Sequence, residues 1–366
     1  MIVRPPLPVP ESWSLGDLER LRIVLRGGSV IDWRRLHFQN KEEVDHYLRL
    51  CLFDPDDPFD RARLQRILDE AVDYLRTSFR YRVAEEVARP RELQDLFLLA
   101  SGVREPQRLR RIACIALKVM HVVHHVEARG LLHRARVSED ELAQLVTARV
   151  DHAIGQLRRA GMPILAAAGS VKTRHSLITK LLAKKETLAA QIYDRVRYRV
   201  VTAHRDDVLP VLVRLCDVLV PFNFVVPGQT QNTLFSFRRL VRDTPSLRKL
   251  APELQAGLQL EEHDRREGNA PPANEFSGDN YQVLNFVVDL PVRLPERAVD
   301  SADGRIAFCM VELQLVDADT AGANDSGINA HPRYKKRQLR RVLRRLSRGL
   351  VVPKRKRPAP GADGPR

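Results

Sequence analysis

Sulfur and aromatic residues are scarce in this chain. Four cysteines stand at 51, 114, 216 and 309, far from one another, with no CxxC and no Cys/His metal spacing. A disulfide framework or zinc knuckle is therefore not expected, and a reducing cytoplasm is the default compartment. Aromatic residues make up 6%. No apolar run reaches the roughly 18 residues of a spanning helix. The opening MIVRPPLPVPESW places prolines where a signal peptide needs an apolar stretch. Acid is nearly missing from residues 331–366, where 14 Lys/Arg face Asp363 alone. Of the formal net charge of +15, this appendage carries +13 and the remaining body about +2. The 366 residues are 44% hydrophobic, enough to bury a sizeable core and long enough for more than one unit.

The first 137 residues read as helical. Ser14 can cap a helix ending at Gly27-Gly28. Asn40 opens another, with Val44, Tyr47, Leu48 and Cys51 on one face. Leu64, Ile67, Leu68, Val72 and Leu75 repeat at helical period. Pro90 interrupts the pattern, and Arg110 to Gly130 predicts a buried helix. Ser138 and Glu141 form a capping box for a helix running to Gly161. Beyond it the pattern changes. Residues 192–203 alternate like a strand, 206–219 predict a helix, and 220–226 predict a second strand. Long strands are expected at 280–294 and 304–317, with a short helix near 250–260. The fold class is thus α+β: a helical region 1–137, a mixed-sheet unit 138–320 with an insertion at 227–279, and a basic tail 331–366.

Chemistry-bearing residues fall on the mixed-sheet unit. Lys172, Ser176 and Lys180 recur every four residues, followed by Lys184 and Lys185. On one helix these would line ammonium and hydroxyl groups along a face suited to polyphosphate. Asp194 enters a strand. Glu312 and Gln314 share one face of the last strand, opposite Val311, Leu313 and Leu315. A carboxylate in an apolar strand is costly unless paired or metal-bound. Its bland partner would be a neighbouring arginine such as Arg199. Two strand carboxylates facing a lysine-lined helix would suit a metal–triphosphate complex.

These segments resemble the synthetase domain of RelA/SpoT-type alarmone synthetases, a nucleotidyltransferase-like fold, including its toxic small-synthetase branch. The family's Gly-Arg-x-Lys segment, with Ser and Lys at four-residue steps, is similar to GSVKTRHSLITK. Its Asp strand with Arg five residues on is similar to Asp194 and Arg199. Its Asn-Gly-Tyr-Gln segment is similar to Asp279-Asn280-Tyr281-Gln282, and its Glu-Ile-Gln-Ile strand to Glu312-Leu313-Gln314-Leu315. The order matches over about 140–317. Ser170 stands where the family has an arginine that contacts ATP, Asn285 where it has a histidine. A loop before the tyrosine is replaced by PGQTQNTLFSFRRL and a longer insertion, from which Arg238 and Arg239, or Arg174 elsewhere, could compensate.

The resemblance implies a bacterial, cytoplasmic pyrophosphokinase of the stringent-response type, using ATP and Mg²⁺. Asp194 and Glu312 would hold Mg²⁺. Lys172, Ser176, Lys180 and Arg199 would bind ATP phosphates, and Tyr281 would stack the acceptor base. Glu312, with Gln314, would help deprotonate the acceptor 3′-hydroxyl. The acceptor would be GDP/GTP, giving ppGpp-type products, or the 3′ end of tRNA. The alternative is a degenerate synthetase fold that binds nucleotide or RNA without transfer.

Two features lie outside that constellation. His121, His124 and His125 with Glu127 tempt a metal reading, but no third ligand is evident and a packing role is expected. In the tail, Leu339, Val342, Leu343, Leu346 and Leu350 form one stripe of a basic amphipathic helix, followed by KRKR. Residues 333–357 could contact RNA, a ribosome or an acidic membrane surface; KRKR also admits a nuclear-localisation reading. Alternatively, the leucines dock on the body and the arginines only solubilise.

Overall fold

Capping chemistry sets the helix starts. In the computed structural model, Ser14 Oγ accepts from Asp17 N–H (3.1 Å), while the Asp17 carboxylate accepts from Ser14 N–H (2.9 Å). The helix so opened, α1 (Leu15–Arg26), stops at Gly27 with φ of 66°. The structure describes residues 13–27, 37–102, 106–183, 196–244, 247, 249, 281–299, 304–326 and 331–346. Asn40 caps α2 (Lys41–Leu50) and Asp57 caps α3 (Pro58–Phe79). The short α4 (Glu85–Ala88), α5 (Leu93–Ser101) and the long α6 (Gln107–Arg134) complete the helical region. The Ser138/Glu141 capping box opens α7 (Glu139–Arg159).

A five-stranded sheet follows. Its strands are β1 (Ile164–Val171), β2 (Val196–Thr202), β3 (Gln231–Asn232), β4 (Leu284–Arg293) and β5 (Ile306–Asp317), in spatial order β1-β2-β5-β4-β3. β2 and β5 run parallel and the other pairings are antiparallel. Between the strands lie α8 (Arg174–Ala183), α9 (Val208–Val218) and α10 (Phe237–Asp243); α11 (Ala318–Asp325) and α12 (His331–Leu346) follow β5. The architecture is α+β, a helical N-terminal region joined to a mixed sheet.

The sheet departs from the expectation in three places. β1 and β3 fall where no strand was predicted, β3 inside the segment read as an insertion. Residues 220–226 do not form a strand: Phe222–Phe224 make a single 3₁₀ turn, and only Val225 bridges to Val288. The helix expected near 250–260 lies outside the described residues. No described helix is long and apolar enough to cross a membrane.

The two faces of the sheet differ because side chains alternate. Tyr198, Val200, Phe286, Val288, Leu313 and Leu315 are buried in the core. Tyr198 reaches α7, donating to Thr147 O (3.1 Å) and Asp151 Oδ1 (3.2 Å). Polar contacts join the helices to the sheet unit. Tyr47 Oη donates to Asn223 Oδ1 (2.6 Å), and Arg293 Nη2 to Asp60 Oδ2 (3.1 Å). The histidines of α6 belong to this seam. Asn223 Nδ2 lies 2.8 Å from His121 Nδ1, and His125 stacks on Phe308 at 4.2 Å. Burial pushes His124 down to about 3 and His121 well below its ordinary value, so both pack as neutral rings.

Candidate functional site

Part of the opposite face is polar, and register explains what it assembles. Ser170 on β1 is opposite Arg197 on β2, Arg197 is level with Glu312 on β5, and Arg199 with Gln314; Gln314 is opposite Asn285 on β4. All six residues share one parity and therefore one face. The edge strand β1 approaches β2 closely at Gly169, where a Cβ would lie 2.6 Å from Tyr198 Cζ and 2.8 Å from its hydroxyl. A Cβ there would have to displace the Tyr198 ring, and β1 leads directly into Lys172 and α8.

Glu312 is the centre of this face, 4% exposed. Its Oε2 accepts from Arg197 Nε (2.9 Å) and pairs with Arg197 Nη2 (2.9 Å). Its Oε1 accepts from Asn285 Nδ2 (2.8 Å) and Gln314 Nε2 (3.0 Å). Burial by itself would raise the Glu312 pKa. The charges of Arg197 and Lys172 and these hydrogen bonds outweigh burial and hold the group below the ordinary carboxylate value. The arginine that meets Glu312 is thus Arg197, not the anticipated Arg199. Arg199 instead makes a two-oxygen bond to Asp325 of α11 (3.0 Å each).

Lys172 and Lys180 do meet, although α8 begins at Arg174 and Lys172 precedes it rather than lying on it. Burial, reinforced by the positive charges of Lys180 and Arg197 and opposed by Glu312, pulls Lys172 down to about 6. A side-chain hydrogen bond between Lys172 and Lys180 acts in the same direction. Ser176 accepts from Thr173 Oγ1 (3.1 Å), just inside α8.

Tyr281 joins the same group of charges. Burial raises its pKa, against the influence of Arg197 and Arg199. Its segment is pinned by Asn324 of α11, which accepts from Gln282 N–H (3.2 Å) and donates to Gln282 O (2.6 Å). Asp194, Lys184, Lys185, Asp279 and Asn280 lie outside the described residues. Arg239 does not compensate for Ser170. It lines an open cleft of about 500 Å³ with Arg205 and Phe235 beside β3, at the sheet edge opposite β1.

The described residues do not by themselves fit Mg²⁺. A carboxylate offers about four lone-pair positions, and the N–H groups of Arg197, Asn285 and Gln314 take those of Glu312. Among the described residues no group of three His, Cys, Asp or Glu side chains could hold a metal. One buried acceptor is left over: Asn285 Oδ1 has no hydrogen-bond partner.

Sequence reading missed Arg197 and gave Asn285 no role. Arg197 stands two residues before Arg199 in an alternating strand, so parity alone placed it on the Arg199 face.

No family model matches the chain, and no curated protein matches it. Solved structures do. The small alarmone synthetase 2 of Bacillus subtilis is 14% identical over 62% of this chain and 83% of that one, with a TM-score of 0.33. The small alarmone synthetase 1 of the same organism, bound to its product pppGpp, is 13% identical over 57% and 85%, TM-score 0.33. A GTP pyrophosphokinase family protein from Streptococcus pneumoniae is 15% identical over 57% and 83%, TM-score 0.29. The roles of individual side chains rest on this chain's own geometry.

Proposed function

We propose that this chain transfers pyrophosphate from ATP to the 3′-hydroxyl of a nucleotide. The observation that carries the reading is the convergence of Lys172 and Arg197 on Glu312, with Lys180 beside Lys172 and Tyr281 within reach of the charges of Arg197 and Glu312. Phosphoryl-type transfer asks mainly for positioning and charge neutralisation. Lys172 and Lys180 supply charge for the polyphosphate. Arg197 stands on β2 opposite Ser170, the position at which the resembled family carries its ATP-contacting arginine. Tyr281 supplies a ring for the acceptor base, and the free Asn285 Oδ1 an acceptor for a substrate hydroxyl. In the reaction the 3′-hydroxyl gives up its proton to solvent water as its oxygen bonds to the β-phosphorus. The bond from that phosphorus to the α–β bridging oxygen breaks, and AMP leaves with the electron pair.

This geometry changes the role of Glu312. Held acidic and engaged on both oxygens, it is a poor base; its task is to fix Arg197, Asn285 and Gln314. No step is assigned to Mg²⁺, whose remaining carboxylate ligand would be Asp194. The acceptor is a guanine nucleotide or the 3′ end of tRNA. The full occupancy of Glu312 favours one second reading, a site that binds nucleotide without transferring. Incubating the purified chain with ATP, Mg²⁺ and either GDP, GTP or tRNA decides between them. Stoichiometric AMP and 3′-pyrophosphorylated acceptor support transfer; ATP binding with no AMP from any acceptor leaves the binding reading.

A further inference from the structure

The basic helix α12 packs against α8 and presents the wrong side outward for a merely solubilising tail. Val342 is 7% exposed, so the helix docks there. Leu339, Leu343 and Leu346 are 55%, 53% and 57% exposed. Steps of four and three residues keep these three within an arc of roughly 60°. Lys335, Arg340 and Arg344 are exposed beside them, and α12 holds eight Lys/Arg and no acid. On α8, against which α12 packs, Ile178 (47%) and Leu182 (38%) are also exposed.

We propose that α12, with the adjoining side of α8, is a docking surface for an anionic lipid bilayer. Two features on the page select this occupant. The surface joins an apolar strip, Leu339, Leu343 and Leu346, to a cationic edge at Arg340 and Arg344, the complement of a bilayer whose acyl boundary lies beneath acidic headgroups. A second copy of the chain would set eight cationic side chains against eight more. The helix already rests on the body through Val342, so a protein groove could not envelop it, whereas a planar surface needs only the exposed face. RNA would use the cations, but its bases stack on aromatic rings and leave a leucine crest without a role. The inference is independent of the nucleotide site.

Flotation of the full chain with vesicles tests it, using equal parts phosphatidylglycerol and phosphatidylcholine against phosphatidylcholine alone. The chain should float with the anionic vesicles only. Leu339→Gln/Leu346→Gln keeps every charge and both positions are exposed, so its thermal stability should match the parent while its vesicle affinity falls about tenfold or more. Leu346→Trp should show a blue-shifted emission on binding, reporting entry of that position into the apolar layer. The proposal is overturned if the parent ignores anionic vesicles, or if the glutamine variant binds them as the parent does. It is equally overturned if a structured RNA is bound while vesicles are not.

Discussion

Replacing Lys172 by glutamine isolates a proton that the nucleotide site should take up. With a pKa near 6 the Lys172 amine is almost wholly neutral above pH 7.5 before nucleotide binds. Burial and the positive charges of Lys180 and Arg197 cause this, and an arriving polyphosphate reverses the second cause. Binding therefore raises the Lys172 pKa toward its ordinary value. The direction follows: the bound state holds more protons than the free one, so affinity rises as pH falls from 9 toward 6 and levels off below it on account of this group. One proton corresponds to about tenfold in affinity per pH unit. ATP's terminal phosphate titrates near pH 6, so the window from 7.5 to 9 reports the lysine. Titration calorimetry of ATP in buffers of different ionisation enthalpy should count about one proton taken up by the parent chain. Lys172→Gln should lose that uptake. Lys172→Arg, always charged, should bind with little pH dependence in the same window. Equal uptake by parent and glutamine variant would remove Lys172 from the phosphate site and refute the reasoning.

Other perturbations address the surrounding framework. Glu312→Gln leaves Arg197 without its counter-charge and should destabilise the fold by about 1–3 kcal/mol in denaturant titration; adding Arg197→Gln should recover part of that loss. Gly169→Ala drives a methyl into the Tyr198 ring, which sits buried with its hydroxyl bonded to α7, and should cost about 1–3 kcal/mol. Tyr281→Ala should raise the KM for the acceptor with little change in that for ATP, because the proposed site gives the ring to the acceptor base alone; an unchanged acceptor KM would take Tyr281 out of the site. Asp194→Asn should abolish AMP release while thermal stability stays near that of the parent, and near-normal turnover would end its assignment as a metal carboxylate.

Much of the helical framework was legible because its signals are local. Ser14, Asn40, and Ser138 with Glu141 act within one turn, and each opens a helix where one was predicted. Strands β4 and β5 were legible from their long apolar runs. β1 was not, because Ala166–Gly169 carries neither alternation nor β-branched residues, and its strand character comes from pairing with β2. The segment 220–226 erred the other way: its apolar residues fill the core around a 3₁₀ turn without joining a ladder.

The site divides along the same line. Sequence by itself determined which residue types were available: the lysines at four-residue steps, Tyr281, and a carboxylate in an apolar strand. It also determined that the positive charge is concentrated in the tail. Only the tertiary structure decided the partners. Parallel register sets Arg197, not Arg199, beside Glu312, and antiparallel register brings Asn285 within reach of the same carboxylate. The stripe Leu339–Leu346 shows the division again. Its period is written in the chain, but Val342 faces the body and the leucines face out because the position of α8 fixes the helix rotation. Helix periodicity is set within a few residues, whereas register and docking come from contacts between segments a hundred residues apart, which local patterning does not encode.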